Sequence, residues 1–260
     1  MERLRSLARW STNYDDPWTN DLAFEAAAAI ATLHSNPSLV VACRRMLAHH
    51  PTSAPLWWLL AHVLAAADPA RTARELRDRL EGDLTVERVS AGLPLLDAGQ
   101  KVGVVGWGRL PERVFSERVD LDVVRISVLS AGATDASYRS RLDRQTVEID
   151  PYDLAEHGVA IVLAPALAVT SDVALLGEGF GDLLYEAGSI PIWLVASLGT
   201  LLPQKLFIAV ERAAIESPTI TERVRLERFA KVVGPRGVES PTDAVVGLSC
   251  PLPGELLKPL

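Results

Sequence analysis

Cysteine is scarce in this chain: Cys43 and Cys250 are the only two in 260 residues. A disulfide-built scaffold needs more, and a zinc site needs clustered Cys and His. The five histidines are His34, His49, His50, His62 and His157, with no His-Glu-x-x-His spacing among them. No metal site is therefore expected. Long apolar runs are lacking as well. The longest lie near 159–169 and 190–195, short of the ~18 residues that cross a bilayer. The opening Met-Glu-Arg-Leu-Arg-Ser-Leu-Ala-Arg-Trp is too short and too charged for the apolar core of a signal peptide. Basic charge is in deficit, with 26 Lys+Arg against 33 Asp+Glu, a net of −7. That balance disfavours a protein that grips nucleic acid through a basic face. No Gly-x-Ser-x-Gly elbow anchors a hydrolase triad, and no Walker lysine follows a glycine-rich turn. These absences point to a soluble cytoplasmic protein with no cofactor, no membrane partner and no direct nucleic-acid partner.

Ordinary globular composition remains, 48% hydrophobic and 23% charged. The first hundred residues carry helical periodicity. Asp21 precedes an Ala-rich run with Leu22, Ala26, Ile30 and Leu33 in register. Asn36-Pro37 reads as an N-cap with proline in the first turn, where no amide hydrogen is needed. Thr52, Ser53 and Pro55 start a third helix; Asp68-Pro69 starts a fourth that Gly82 ends. Short helices joined by tight punctuation favour antiparallel packing. After Gly99 the pattern changes. Lys101–Val105, 121–129, 159–164 and 191–196 are near-continuous apolar strands, and helical segments fit between them at 111–118, 153–157, 180–187 and 201–215. Such alternation predicts a mostly parallel sheet covered on both faces. The expected architecture is α/β: a helical domain over residues 1–100, then a Rossmann-like domain over 101–260.

Three glycine-rich turns are the candidate sites. Gly103-Val-Val-Gly106-Trp-Gly108-Arg109 follows a strand and precedes a helix. There Gly106 and Gly108 would let a phosphate approach backbone amides, and Arg109 would clamp it. The bland alternative is a tight turn with Trp107 buried. Ser130-Ala-Gly132 closes the second strand in the same way, and Gly177-Glu178-Gly179-Phe180-Gly181-Asp182 forms a third turn. In a parallel sheet the carboxyl-end loops converge on one crevice, so Gly106, Gly108, Arg109, Ser130, Gly132, Gly177 and Gly179 are expected to bind the ligand. Glu178 and Asp182 would repel a phosphate unless a cation intervened; the bland alternative is that Gly179 and Gly181 merely cap and turn. Cys43 is expected in the core, and Cys250 in a C-terminal turn with no base nearby.

The order of parts resembles a known family, that of the regulatory alpha, beta and delta subunits of the exchange factor for eukaryotic initiation factor two. Methylthioribose-1-phosphate isomerase and ribose-1,5-bisphosphate isomerase share that family. The likeness runs through Val159-Ala-Ile-Val-Leu-Ala-Pro-Ala-Leu-Ala-Val169, Asp172-Val-Ala-Leu-Leu-Gly-Glu178, Leu183-Leu-Tyr-Glu-Ala187 and Ile190-Pro-Ile-Trp-Leu-Val195. His50-Pro-Thr-Ser-Ala-Pro-Leu-Trp57 and Cys250-Pro-Leu-Pro-Gly-Glu-Leu256 resemble the family's helix-start and closing segments. The resemblance implies a sheet domain of the ribose-phosphate-isomerase type, a homodimer formed through it, and a crevice for a sugar phosphate or nucleotide.

The departures imply something else. Where the family's isomerases carry a cysteine after the first strand, this chain has Gly106-Trp107-Gly108. Their Gly-Ala-Asp falls on Ala164-Pro165-Ala166 and their Asn-Lys on Ala174-Leu175. Moving a proton between sugar carbons needs an acid–base group, and Ala, Pro and Leu offer none. The sequence thus points to a non-catalytic binding or regulatory protein with a phosphorylated small-molecule partner. The alternatives are a sugar-phosphate isomerase using Glu178 or Asp182 as base, and a scaffold whose crevice is filled by Trp107 and Phe180.

Overall fold

Asp68 and Pro69 do what their positions require. In a computed structural model of the chain, the Asp68 carboxylate accepts the Arg71 amide at 3.0 Å, and the helix runs Pro69–Glu81 with Gly82 beyond its end. The structure describes residues 18–32, 39–128, 146–215 and 221–258. The predicted start at Asn36-Pro37 and the turn at Ser130-Gly132 fall outside these residues. Helices α1 (Asp21–Ile30), α2 (Leu39–His49), α3 (Ala54–Ala65) and α4 (Pro69–Glu81) form the N-terminal helical layer. Helix α3 is apolar all round, and Leu56, Trp57, Leu59, Leu60 and Val63 are each at most 1% exposed. Such a helix belongs in the middle of a core. A fifth helix, α5 (Thr85–Gly92), packs against the large sheet through Val86 and Val89.

The remaining elements in chain order are β1 (Lys101–Val105), α6 (Arg109–Glu117), β2 (Asp122–Ile126), β3 (Val147–Ile149), β4 (Val159–Pro165), β5 (Ala168–Val169), β6 (Val173–Gly177), α7 (Phe180–Glu186), β7 (Ile192–Val195), α8 (Gln204–Ile215), β8 (Thr221–Arg225), β9 (Lys231–Gly234), β10 (Gly237–Glu239) and α9 (Pro241–Ala244). Seven strands form one sheet in the order β10-β9-β7-β4-β1-β2-β3. All its neighbours are parallel except β9–β10. The fold is therefore α/β, with a helical N-terminal layer and a mostly parallel Rossmann-like sheet.

Side-chain alternation along the strands explains why both faces are covered. Val102, Val104, Ile161, Leu163, Trp193 and Val195 join one core with α5 and α6. Val162, Ala164, Ile192 and Leu194 join the opposite core with Phe180 and Leu183 of α7. A strand presents successive residues to opposite faces, so continuous apolar runs make a sheet buried twice over. Gly103 interrupts the valines of β1 for a steric reason. A Cβ there would lie 2.7 Å from Ile126 Cδ1 and 3.1 Å from Val159 Cγ1.

Two local expectations were wrong. The segment at 153–157 is a single 3-10 turn, Pro151–Asp153, followed by turns. The glycine turn that begins at Gly177 does not leave a strand of the parallel sheet; it follows β6, the centre of a separate three-stranded antiparallel sheet, β5-β6-β8. Leu167 donates to the Leu175 carbonyl at 2.9 Å, so the chain folds back on itself directly after β4. That small sheet and α8 share a continuous core with α1–α4, through Ala168, Leu175, Leu206, Phe207 and Val210.

Candidate functional site

Strand order reverses between β1 and β4. From β1 the chain steps to β2 and β3 on one side, and from β4 to β7 and β9 on the other. In open α/β sheets, loops leaving such a switch point diverge and open a crevice beyond the carboxyl ends. Val104 pairs with Leu163 in register, which puts the Gly106 turn beside Ala164-Pro165-Ala166. Gly106 has φ +64°, a left-handed conformation costly for any residue with a Cβ. Its amide donates to the Ile126 carbonyl at 3.0 Å. Gly108 is extended, with φ −160°, and precedes α6.

A cleft of about 400 Å3 opens at this edge, between α1, the end of α4, the start of α5, the first turns of α6 and Ser197 after β7. Of the sequence-predicted residues, Arg109 lines it; Gly106 and Gly108 form the turn that delivers Arg109. The Arg109 guanidinium pairs with the carboxylate of Asp21, so the expected phosphate clamp is held by an acid from the helical layer. Arg113, one turn along α6, lies 3.5 Å from Glu87 and also lines the cleft. Glu25, Glu81 and Asp83 complete the charged lining.

Asp83 is a structural hub that sequence reasoning missed. One carboxylate oxygen accepts the Thr85 amide at 3.0 Å and the Thr85 hydroxyl at 2.6 Å, a local turn that fixes the first residue of α5. The other accepts the Asn20 side-chain amide at 3.1 Å and the Leu198 backbone amide at 2.9 Å. A single side chain thus fastens α1, α5 and the loop after β7 around the cleft. Asp83-x-Thr85 before an apolar stripe was a readable turn; the reach of Asp83 to Leu198, 115 residues away in sequence, was not. Trp18 adds a second cross-link, its indole donating to the Val105 carbonyl at 3.1 Å.

The third glycine turn stands elsewhere. Gly177 ends β6 in the small sheet, so Gly177 and Gly179 do not join the carboxyl edge of the parallel sheet, and neither lines the cleft. The turn does bind an anion, but one supplied by the chain. The Glu222 carboxylate accepts the Gly179 amide at 2.7 Å and the Gly181 amide at 2.6 Å. Asp182 is exposed and Glu178 half-buried; neither lines the cleft. Trp107 is buried and stacks on Phe115 with ring centroids 6.2 Å apart, while Phe180 lies in the core on the other face of the sheet. The two rings therefore do not close the crevice together.

The positions that the resemblance matches to ionisable groups are apolar and sealed. Ala164, Ala166, Ala174 and Leu175 are each at most 3% exposed. Burial pushes both Cys43 and Cys250 up to about 12. The expectation of no base near Cys250 needs correction, because tertiary folding brings His62 Nδ1 to 3.8 Å from its sulfur. That nitrogen donates to the Trp58 carbonyl at 2.8 Å, so its proton is committed and it cannot take the thiol's. Among the described residues, no group of three or more His, Cys, Asp or Glu is placed to hold a metal ion.

No protein-family model matches the chain, and no curated protein matches it in sequence. Solved structures do match. The Pyrococcus horikoshii OT3 translation initiation factor eIF-2B superposes with TM-score 0.64 at 14% identity, over 94% of this chain and 98% of that one. The chain has the eIF2B fold. The tetrameric eIF2B-beta2-delta2 complex from C. thermophilum gives TM-score 0.65 at 13% identity, covering 93% and 92% of the two chains. The eIF2B beta subunit of Chaetomium thermophilum gives 0.64 at 12%, covering 96% and 94%. Coverage is nearly complete in both directions. The eIF2B fold, not one shared motif, carries the likeness.

Proposed function

We propose that this chain is a non-catalytic binding or regulatory protein built on the eIF2B fold, with a phosphorylated small molecule as the ligand of the cleft. In this reading residues 1–100 act as a helical domain and 101–260 as a Rossmann-like domain. The protein is cytoplasmic and works as a homodimer. One observation supports the proposal: Ala164, Pro165 and Ala166, beside the Gly106 turn at the strand switch, are buried and carry no group that could move a proton. The cleft still offers Arg109 and Arg113 from the first turns of α6, where a helix start favours an anion.

Two assays test it. Ribose 5-phosphate binding to the full chain, followed by calorimetry, should weaken about tenfold in Arg109→Ala, the loss of one charge-assisted contact. Unchanged affinity removes the phosphate from the reading. Incubation with ribose 1,5-bisphosphate or methylthioribose 1-phosphate, followed by phosphorus NMR, should give no turnover. Turnover that Glu178→Gln or Asp182→Asn abolishes would establish the isomerase alternative instead.

A further inference from the structure

Residues 250–257 form neither helix nor strand, yet they lie on the helical layer. Leu256 is fully buried in the core that α1–α4 share with α8. Arg44 of α2 donates to the Glu255 carbonyl at 2.9 Å. At the other end of the segment, Cys250 Sγ lies 3.8 Å from His62 Nδ1 on α3. Pro251 and Pro253 have no amide hydrogen with which to fasten the backbone. Local opening costs only the contacts it breaks, so a segment held in this way opens more readily than the helices beneath it.

His62 sits where that segment meets α3. Its Nδ1 donates to the Trp58 carbonyl at 2.8 Å, so a second proton goes to Nε2 and makes the ring a cation. The surroundings oppose that charge. The Trp58 ring, itself buried, lies against the imidazole with centroids 4.9 Å apart. From α4, Arg79 holds its guanidinium carbon 5.3 Å from the centroid of the same indole. From the loop after β7, Gly199 closes on Trp58 and brings no charge. From the segment comes the Cys250 thiol, which burial keeps protonated. Among the described residues no carboxylate bonds to His62. Burial therefore lowers His62 below its ordinary value, with the Trp58 hydrogen bond opposing and Arg79 assisting. Cys250 supplies part of that burial.

We propose that residues 250–257 are an acid-released strap, docked on α2 and α3 while His62 is neutral and let go when its ring takes a second proton. Departure of the strap brings water to the imidazolium and screens it from Arg79. The sign follows from linkage. The docked state disfavours the proton, so the contribution of His62 to docking is complete above pH 6.5 and is lost as pH falls below it. The device operates whatever the cleft binds.

Dithiodipyridine labels thiols at acid as well as neutral pH, and mass spectrometry of the full chain locates the label. The rate at Cys250, divided by that of a free peptide of the same local sequence, should rise at least about threefold from pH 7.5 to pH 5 while Cys43 stays protected. His62→Gln should abolish the rise. Arg79→Gln, a change at an exposed side chain, should shrink it by removing the like charge. Leu256→Ala should raise the ratio at both pH values. A ratio level with pH in the wild type would overturn the proposal, as would a rise that His62→Gln leaves intact. Labelling of Cys43 in step with Cys250 would overturn it as well, because the whole helical layer would then be opening rather than the strap.

Discussion

Replacing Asp83 with alanine should cost more stability than neutralising any other carboxylate at the rim of the cleft. Its carboxylate accepts four hydrogen bonds, two from Thr85, one from Asn20 and one from the Leu198 amide. Loss of the Thr85 hydrogen bonds costs about 1 kcal/mol. The Leu198 amide, part-buried and without another acceptor, adds about 2 kcal/mol when its charged partner is removed. The sum is about 3 kcal/mol, which lowers the melting temperature of a chain of this size by about 8 °C. Asp83→Asn retains one acceptor oxygen but turns an amino group toward donors, so it should lose about half as much. Glu81→Gln, at the same rim but with no bond among the described residues, should change stability by less than about 0.5 kcal/mol. Urea melts followed by circular dichroism compare the three variants directly. If Asp83→Ala and Glu81→Gln unfold at the same urea concentration, Asp83 is not the fastener of α1, α5 and the loop after β7.

Three further outcomes follow from the geometry. Gly106→Ala forces a Cβ into the left-handed turn at φ +64° and should destabilise by about 1 kcal/mol; an unshifted urea midpoint would contradict that backbone conformation in solution. Cys43 and Cys250, both pushed up to about 12 by burial, should resist Ellman's reagent at pH 8 in the native state, since the thiolate is the reacting form. Both should titrate fully in denaturant, and one fast native thiol would show that Cys250 is open. Burial, with Arg79 assisting and the Trp58 hydrogen bond opposing, lowers His62 below its ordinary 6.5. The unfolded chain then binds the proton more readily, so this contribution is complete above pH 6.5 and is lost as pH falls toward the folded value. His62→Gln should flatten that part of the stability–pH curve, and a wild-type curve already level from pH 7 to pH 5 would refute the assignment.

Local physics made much of the α/β fold readable in the sequence. Asp68-Pro69 and Gly82 bounded α4 because caps and φ preferences act within a few residues. Lys101–Val105 stood out as a buried strand because its valines are apolar on both faces. The two-residue strand β5 and its partners β6 and β8 were missed. They are short, and their pairing partners lie up to about 50 residues apart. The glycine turn at 177–181 looked like a ligand loop for the same reason: nothing nearby reveals that Glu222 already fills it. Gly106 and Arg109 were legible because strand, turn and helix are consecutive. Asp21, Glu25, Glu81, Asp83 and Ser197 come from three separate places in the chain, and only packing of the helical layer onto the sheet brings them to one rim. Composition and spacing can specify where a strand ends and which groups it leaves exposed. Which carboxylate then reaches Arg109 depends on distances between elements far apart in sequence, and those are set by the shared core rather than by any local preference.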